Sequence, residues 1–255
     1  MSQFLYLPPY RQTTLFASVS VSDVDSDSAA AYLVDGREKF PLRLTTDNGV
    51  ITITQTAGDI GLVVVAHHLL KAGSTVTFGG GITGAVTIPT LPRNGVPLNV
   101  ADILSAVVTG VTSFTATVAG NDTDLLIGEL IAGNPLVLDP PIRIQGSQFG
   151  ERHYGNDRAT PLSGIPPYSD RARSRPLGGT QFYSQTQLDL ILAWWDSQDG
   201  YAYPIPSVII PDSDDLNDVR LVMLSEPTYS QTGPDGSETQ YLVDLEFTEL
   251  PRTRW

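Results

Sequence analysis

The sequence predicts a mainly β protein: a β-sandwich or jelly roll inserted in a second β-rich domain that carries one α-helix. Three observations point there. Charged residues make up only 17% of the chain, while Gly (23) and Pro (19) are abundant, a composition that suits short strands joined by turns. Runs rich in β-branched residues recur through residues 45–142, separated by turn signals. One amphipathic segment near residue 190 has both a start and a stop signal.

The elements follow in order. "TTLFASVSV" (13–21) reads as a strand whose nearest local partner is the short "AYLV" (31–34), so it is expected to pair with strands from 207–250. "VITIT" (50–54), "LVVVAHHL" (62–69), "TVTF" (75–78), "AVTI" (85–88), "SAVVTGVTSFTATV" (105–118) and "LLIGELI" (125–131) come next. Ala72-Gly73, Gly79-Gly80-Gly81, Asn94-Gly95 and Gly120-Asn121-Asp122 are the turns between them. Phe114, Ala116 and Val118 alternate with Thr115 and Thr117, the period of a half-buried strand. Short strands at this spacing fit a sandwich, and Pro140-Pro141 in "NPLVLDPPIRI" marks its exit. Residues 145–180 have no sustained apolar period, as expected of a functional or disordered loop.

In "SQTQLDLILAWWDSQDG", Ser184 and Gln187 form an S-x-x-Q capping box. Leu188, Ile191, Leu192 and Trp195 share one helix face, and Gly200 is the stop. In the closing "QYLVDLEFTEL" (240–250), Tyr241, Val243, Leu245 and Phe247 face one way while Asp244, Glu246 and Thr248 face the other, a strand with one wet face. The expected organisation is a discontinuous β-rich assembly domain (1–44 with 145–255) and an inserted sandwich (45–144).

At 255 residues the chain can bury a real core. Its net charge of −13 argues against nucleic acid as a partner, because phosphate neutralisation needs clustered Lys and Arg. No run of 18 apolar residues predicts a membrane span, and "MSQFLYLPPYRQ" lacks the basic and apolar regions of a signal peptide. Without cysteine there are neither disulfides nor thiolate metal ligands. Charge is uneven: residues 143–175 carry six basic and three acidic side chains, and residues 176–255 carry three and thirteen.

Candidate sites were weighed on side-chain chemistry. His67 and His68 are adjacent in a strand, so their side chains are expected on opposite faces, without the i, i+2 or i, i+4 spacing of a shared metal. One is expected to cap the strand through a hydrogen bond and the other to face solvent, with no metal bound. Asp212, Asp214, Asp215 and Asp218 could hold a cation, but the run lacks the glycine and distal Glu of a calcium loop, so a solvated acidic turn is expected. Arg143, Arg152, Arg158, Arg171, Arg173 and Arg175, interleaved with tyrosines, are candidate subunit contacts, as is Trp194. The acidic 176–255 block of a neighbouring copy would complement them in a head-to-tail ring. Tyr154, Trp194, Tyr201 and Tyr203 are candidate glycan contacts. No nucleophile elbow or phosphate loop is present, since "FGGGITG" (78–84) lacks the lysine and reads as a turn. Neither an enzyme nor a cofactor is expected.

"DIGLVVVAHHLLKAGSTVTF" (59–78), followed by "TDLLIGELIAGNPLVL" (123–138), resembles a module of minor tail proteins of long-tailed bacteriophages, which is similar to galactose-binding-like sandwiches. "PLGGTQF" and the closing "YLVDLEF" fit the same pattern, whereas many such sequences carry Asn where this chain has His68. The resemblance implies a structural virion protein of the distal tail or baseplate class, assembled in the host cytoplasm. Such proteins form homo-oligomeric rings, often of six copies, between the tail tube and the hub or fibres. A glycan-binding module is the alternative function.

Overall fold

The computed structural model describes residues 4–7, 16–34, 41–89, 99–122, 124–138, 140, 152–153, 173–174, 176–196, 207–210, 219–224, 226–232 and 240–249. The strands begin with β1 (Phe4–Leu7), β2 (Phe16–Val21), β3 (Leu42–Arg43), β4 (Gly49–His68), β5 (Thr75–Gly79) and β6 (Gly84–Thr87). They continue with β7 (Val100–Ala119), β8 (Leu126–Gly133), β9 (Leu136–Leu138), β10 (Arg152–His153), β11 (Arg173–Ser174) and β12 (Pro176–Ser184). Helix α1 (Gln185–Asp196) precedes β13 (Ser207–Ile210), β14 (Arg220–Leu224), β15 (Thr228–Thr232) and β16 (Gln240–Glu249). Every pairing between these strands is antiparallel. Among the described residues the fold is thus mainly β with one α-helix, as the sequence predicts.

Strands β4 and β7 are 20 residues each, far beyond the common five or six, because each serves two layers. Their pairing runs in register from Gly49↔Val118 to Thr54↔Ser113 and again from Leu62↔Ile103 to Val65↔Val100, with register shifts between. One core draws Ile51, Ile53, Phe114 and Val118 from the first stretch and Val63, Val65, Val100 and Leu104 from the second. A flat ribbon would hold Ile51 and Val65 roughly 46 Å apart at ~3.3 Å per residue, so the ribbon doubles over at the shifts, as strands do at sandwich corners. One layer is β2, the first part of β4, the last part of β7, then β5 and β6. The other is β3, β8, the last part of β4 and the first part of β7.

A second sheet, in the order β12-β16-β14-β13-β1-β9 with β15 also on β16, stacks on that second layer. Val63 and Val65 point into the sandwich core. Leu62, Val64 and Ala66 pack instead with Ala101 and Ile131 against Val208, Ile210, Val219 and Leu221. The other face of the second sheet, including Ile209, Val222, Val243, Leu245 and Phe247, receives Leu188 and Ile191 of α1, with Leu192 and Trp195 packed beside them. This is the stripe that the helical period predicts, and the architecture is three β layers and a helix. Ser184 Oγ accepts the Gln187 N–H at 3.4 Å, whereas Gln187 Oε1 is buried without a partner among the described residues. Only one arm of the predicted capping box is therefore made.

The pairing expected of residues 13–21 is corrected. β2 joins β4, from Ser18↔Thr54 to Val21↔Ile51; it is β1 that reaches the C-terminal part of the chain, pairing Leu5 with Ile210 and with Val137 on its two sides. Partly buried Val19 and Val21 pack on the sandwich core, and the apolar gain of that face decides which sheet the strand joins.

Asp102 fastens the open side of the sandwich. It lies between Val100 and Leu104 on the inner face of β7, and its carboxylate accepts the Ala85 N–H of edge strand β6 at 2.9 Å. A Cβ on Gly84 would stand 2.3 Å from Asp102 Oδ2, so glycine alone fits there. Partial burial pushes the Asp102 carboxyl above its usual range, and the Ala85 N–H offsets part of that rise. A carboxyl whose folded pKa is raised binds more protons folded than unfolded, so its contribution to stability falls as pH rises from the ordinary carboxylate range to the raised value. Asp102→Asn keeps an acceptor for Ala85 and removes the charge. Its melting temperature is expected above the native value at neutral pH, with the gap closing below about pH 3, as followed by circular dichroism melts across pH.

Candidate functional site

Because β4 and β7 both double back, their four ends meet at one end of the sandwich. Three turns converge there: residues 45–48, 69–74, and 120–122 with 124–125. Binding residues are disproportionately found on such loops, held by a rigid scaffold. Buried Asn121 knits these turns together. Its N–H donates to Asn48 Oδ1 at 3.1 Å, its Nδ2 donates to the Asp47 carbonyl at 2.9 Å, and its Oδ1 accepts the Lys71 N–H at 3.0 Å. Asn48 Nδ2 returns a bond to the Asn121 carbonyl at 3.2 Å. Above this knot the Lys71 ammonium pairs with the Asp122 carboxylate; both side chains are exposed, at 51% and 58%. Asp47 and Asp124 are exposed on the same turns. The rim is therefore polar, net acidic and fixed in shape by its own hydrogen bonds, able to donate from Lys71 and to accept at the carboxylates.

His67 and His68 lie beneath this rim. The expectation that one faces solvent is corrected: both are buried, at 6% and 2% exposure, because the last part of β4 is covered on both faces. His68 does make the expected capping bond, its Nδ1 accepting the Leu70 N–H at 3.2 Å. His67 adopts φ +50°, a left-handed conformation that costs an L-residue about 1–2 kcal/mol and in which His is enriched. Its N–H donates to Asn99 Oδ1 at 3.0 Å, and Asn99 Nδ2 donates to the Val219 carbonyl at 3.3 Å. Buried Asn99 thereby ties the loop end of the sandwich to the second sheet. Among the described residues no group of three His, Asp or Glu side chains is placed to hold a metal ion. None of the described helices is long and apolar enough to cross a membrane.

Of the candidate contacts read from the sequence, Arg152 and Arg173 fall in a two-stranded ribbon, where Arg152 pairs with Ser174 and His153 with Arg173. The ribbon brings two parts of the arginine-rich segment together. Arg143, Arg158, Arg171, Arg175, Tyr154, Tyr201, Tyr203 and the aspartates 212, 214, 215 and 218 lie outside the described residues. Trp194 falls in α1, with its side chain outside the description. Asn48, Lys71, Asn99, Asn121 and Asp122 were not singled out as site residues. The signal for two of them was present in Gly120-Asn121-Asp122, which reads only as a turn.

No protein-family model and no curated protein matches this chain. Solved structures similar to it are carbohydrate-binding β-sandwich domains. One is a pectin-binding carbohydrate-binding module, at TM-score 0.36 and 14% identity, covering 48% of this chain and 92% of that one. Another is a family 32 carbohydrate-binding module from Clostridium perfringens in complex with galactose, at TM-score 0.37 and 8% identity, covering 51% and 98%. A third is the lectin domain of lectinolysin complexed with Lewis B antigen, at TM-score 0.35 and 12% identity, covering 45% and 90%. At these scores no function passes from them to this chain.

Asn99→Leu leaves the His67 N–H and the Val219 carbonyl buried without partners. Each such group costs about 1–3 kcal/mol, so a loss of roughly 2–6 kcal/mol is expected in urea unfolding. Lys71→Ala should stay within about 0.5 kcal/mol of native, because exposed ion pairs contribute little.

Proposed function

We propose that this chain is a non-catalytic binding protein whose β-sandwich takes a carbohydrate at its loop end. The observation that carries this reading is the convergence of three hydrogen-bonded turns into one exposed polar rim over a rigid β floor. A hydroxyl-rich ligand needs donors and acceptors fixed in place rather than a deep apolar pocket, and pre-organised polar groups meet that need at low entropic cost. Lys71 donates to sugar hydroxyls, while Asp47 and Asp122 accept from them. A glycan array followed by calorimetry on the best binder tests this. Saturable binding that weakens at least about tenfold in the Lys71→Ala/Asp122→Ala double variant is expected, with the fold unchanged. Binding that survives in that variant, or none on a broad array, would contradict it.

A second reading is favoured by the ribbon that joins the Arg152 and Arg173 segments, which precede the acidic residues 176–255 in the sequence. In it the chain is an assembly protein of a virion tail tip, made in the host cytoplasm. Copies close into a ring through Arg143, Arg152, Arg158, Arg171, Arg173, Arg175 and Trp194, between tail tube and hub or fibres. Light scattering of the Arg171→Glu/Arg173→Glu/Arg175→Glu variant checks this: a native ring that falls to folded monomers supports it, and unchanged assembly counts against it.

A further inference from the structure

We propose that the free edge of β12 pairs antiparallel with β12 of a second copy, about a two-fold axis at Thr180. β12 is nine residues long and pairs with β16 without a bulge, from Pro176↔Thr248 to Ser184↔Gln240. Among the described residues no strand lies on its other side. Natural edge strands are usually kept apart by brevity, bulges or charge. "PLGGTQFYS" carries no charged residue, its register against β16 is unbroken, and its one proline, Pro176, stands at the strand's first position, outside the Gly178–Phe182 stretch.

The register of the pair is set by two features. The Phe182 N–H points away from β16 and donates to the side chain of its neighbour, Gln181 Oε1, at 3.0 Å. In an antiparallel ladder, outward and inward backbone groups alternate, so Gly178, Thr180 and Phe182 direct N–H and C=O to the open edge, and the Gly178 carbonyl of the second copy would replace the Gln181 amide at the Phe182 N–H. A two-fold axis at Thr180 pairs Thr180 with its own copy and Phe182 with Gly178. Phe182 is a large apolar side chain left 46% exposed, on the wet face with Thr180 and Gly178, opposite Leu242, Asp244 and Glu246 of β16. Across the axis its ring would cover the glycine, which has no side chain of its own, an arrangement known to stabilise glycine in strands. Thr–Thr pairs directly opposite are favourable as well. The carboxylates of Asp244 and Glu246 do not oppose this contact. The two β16 strands would stand three strand spacings apart, roughly 14 Å, beyond the ~8 Å screening length of physiological salt. Such a contact is isologous and closes at two copies; it uses neither the arginine-rich segment nor the loop-end rim.

A single cysteine tests the register in this cysteine-free chain. Thr180→Cys places two sulfurs on a pair whose Cα atoms stand about 5.5 Å apart, within the ~4.4–6.8 Å that a disulfide spans. Ser230→Cys, exposed on β15, would stand five spacings away, roughly 24 Å. Mild oxidation should give a covalent dimer of Thr180→Cys and leave Ser230→Cys monomeric. In sedimentation, the native chain should form a dimer that Thr180→Lys weakens at least about tenfold, since like charges directly opposite repel. Equal cross-linking of both cysteine variants, no cross-linking of Thr180→Cys, or a native chain that stays monomeric at about 100 μM would overturn the proposal.

Discussion

The last part of β4 is the element on which the other layers depend. From Leu62 to Ala66 every side chain is buried, alternately in the sandwich core and in the core shared with the second sheet. Fully burying a Val or Leu side chain contributes about 1.5–3 kcal/mol, so these residues join two sheets that would otherwise each have to cover their own face. The same stretch hydrogen-bonds to β7 on one side and β8 on the other. No backbone group in it is left for solvent, and its position fixes where the strand ends.

The placement of the loop end follows from that constraint. The doubling of β4 and β7 returns both ends of each strand to one side, and Asn121 then satisfies backbone and side-chain groups of three turns at once. Asn99 connects the floor of this end to Val219, so the shape of the rim depends on the stacking of the second sheet. The loop-end rim and the second sheet are thus coupled through one buried amide.

Much of this was legible in the residues. Each β-branched run between 50 and 131 falls in a strand, the alternation of 240–250 gives the correct buried face, and the apolar stripe of α1 packs as its period requires. The doubling of β4 was hidden because "VITIT" (50–54) and "LVVVAHHL" (62–69) read as two strands, whereas the structure joins them in one bent strand, Gly49–His68. Burial of both histidines was missed because a continuous apolar run does not say what covers its second face. The partner of residues 16–21 was misread because alternation fits any open edge of suitable polarity. Asn99 gave no local signal at all, since its two partners are 32 and 120 residues away in sequence.

Native-state hydrogen exchange, resolved by residue, tests the central claim that the sandwich and the second sheet are held together through β4. The account predicts that amides of Leu62–Ala66 and of Val208–Ile210 exchange only through a common global opening, with the same free energy and the same dependence on denaturant. A second sheet that opens at a clearly lower free energy, while Leu62–Ala66 stays protected, would contradict it.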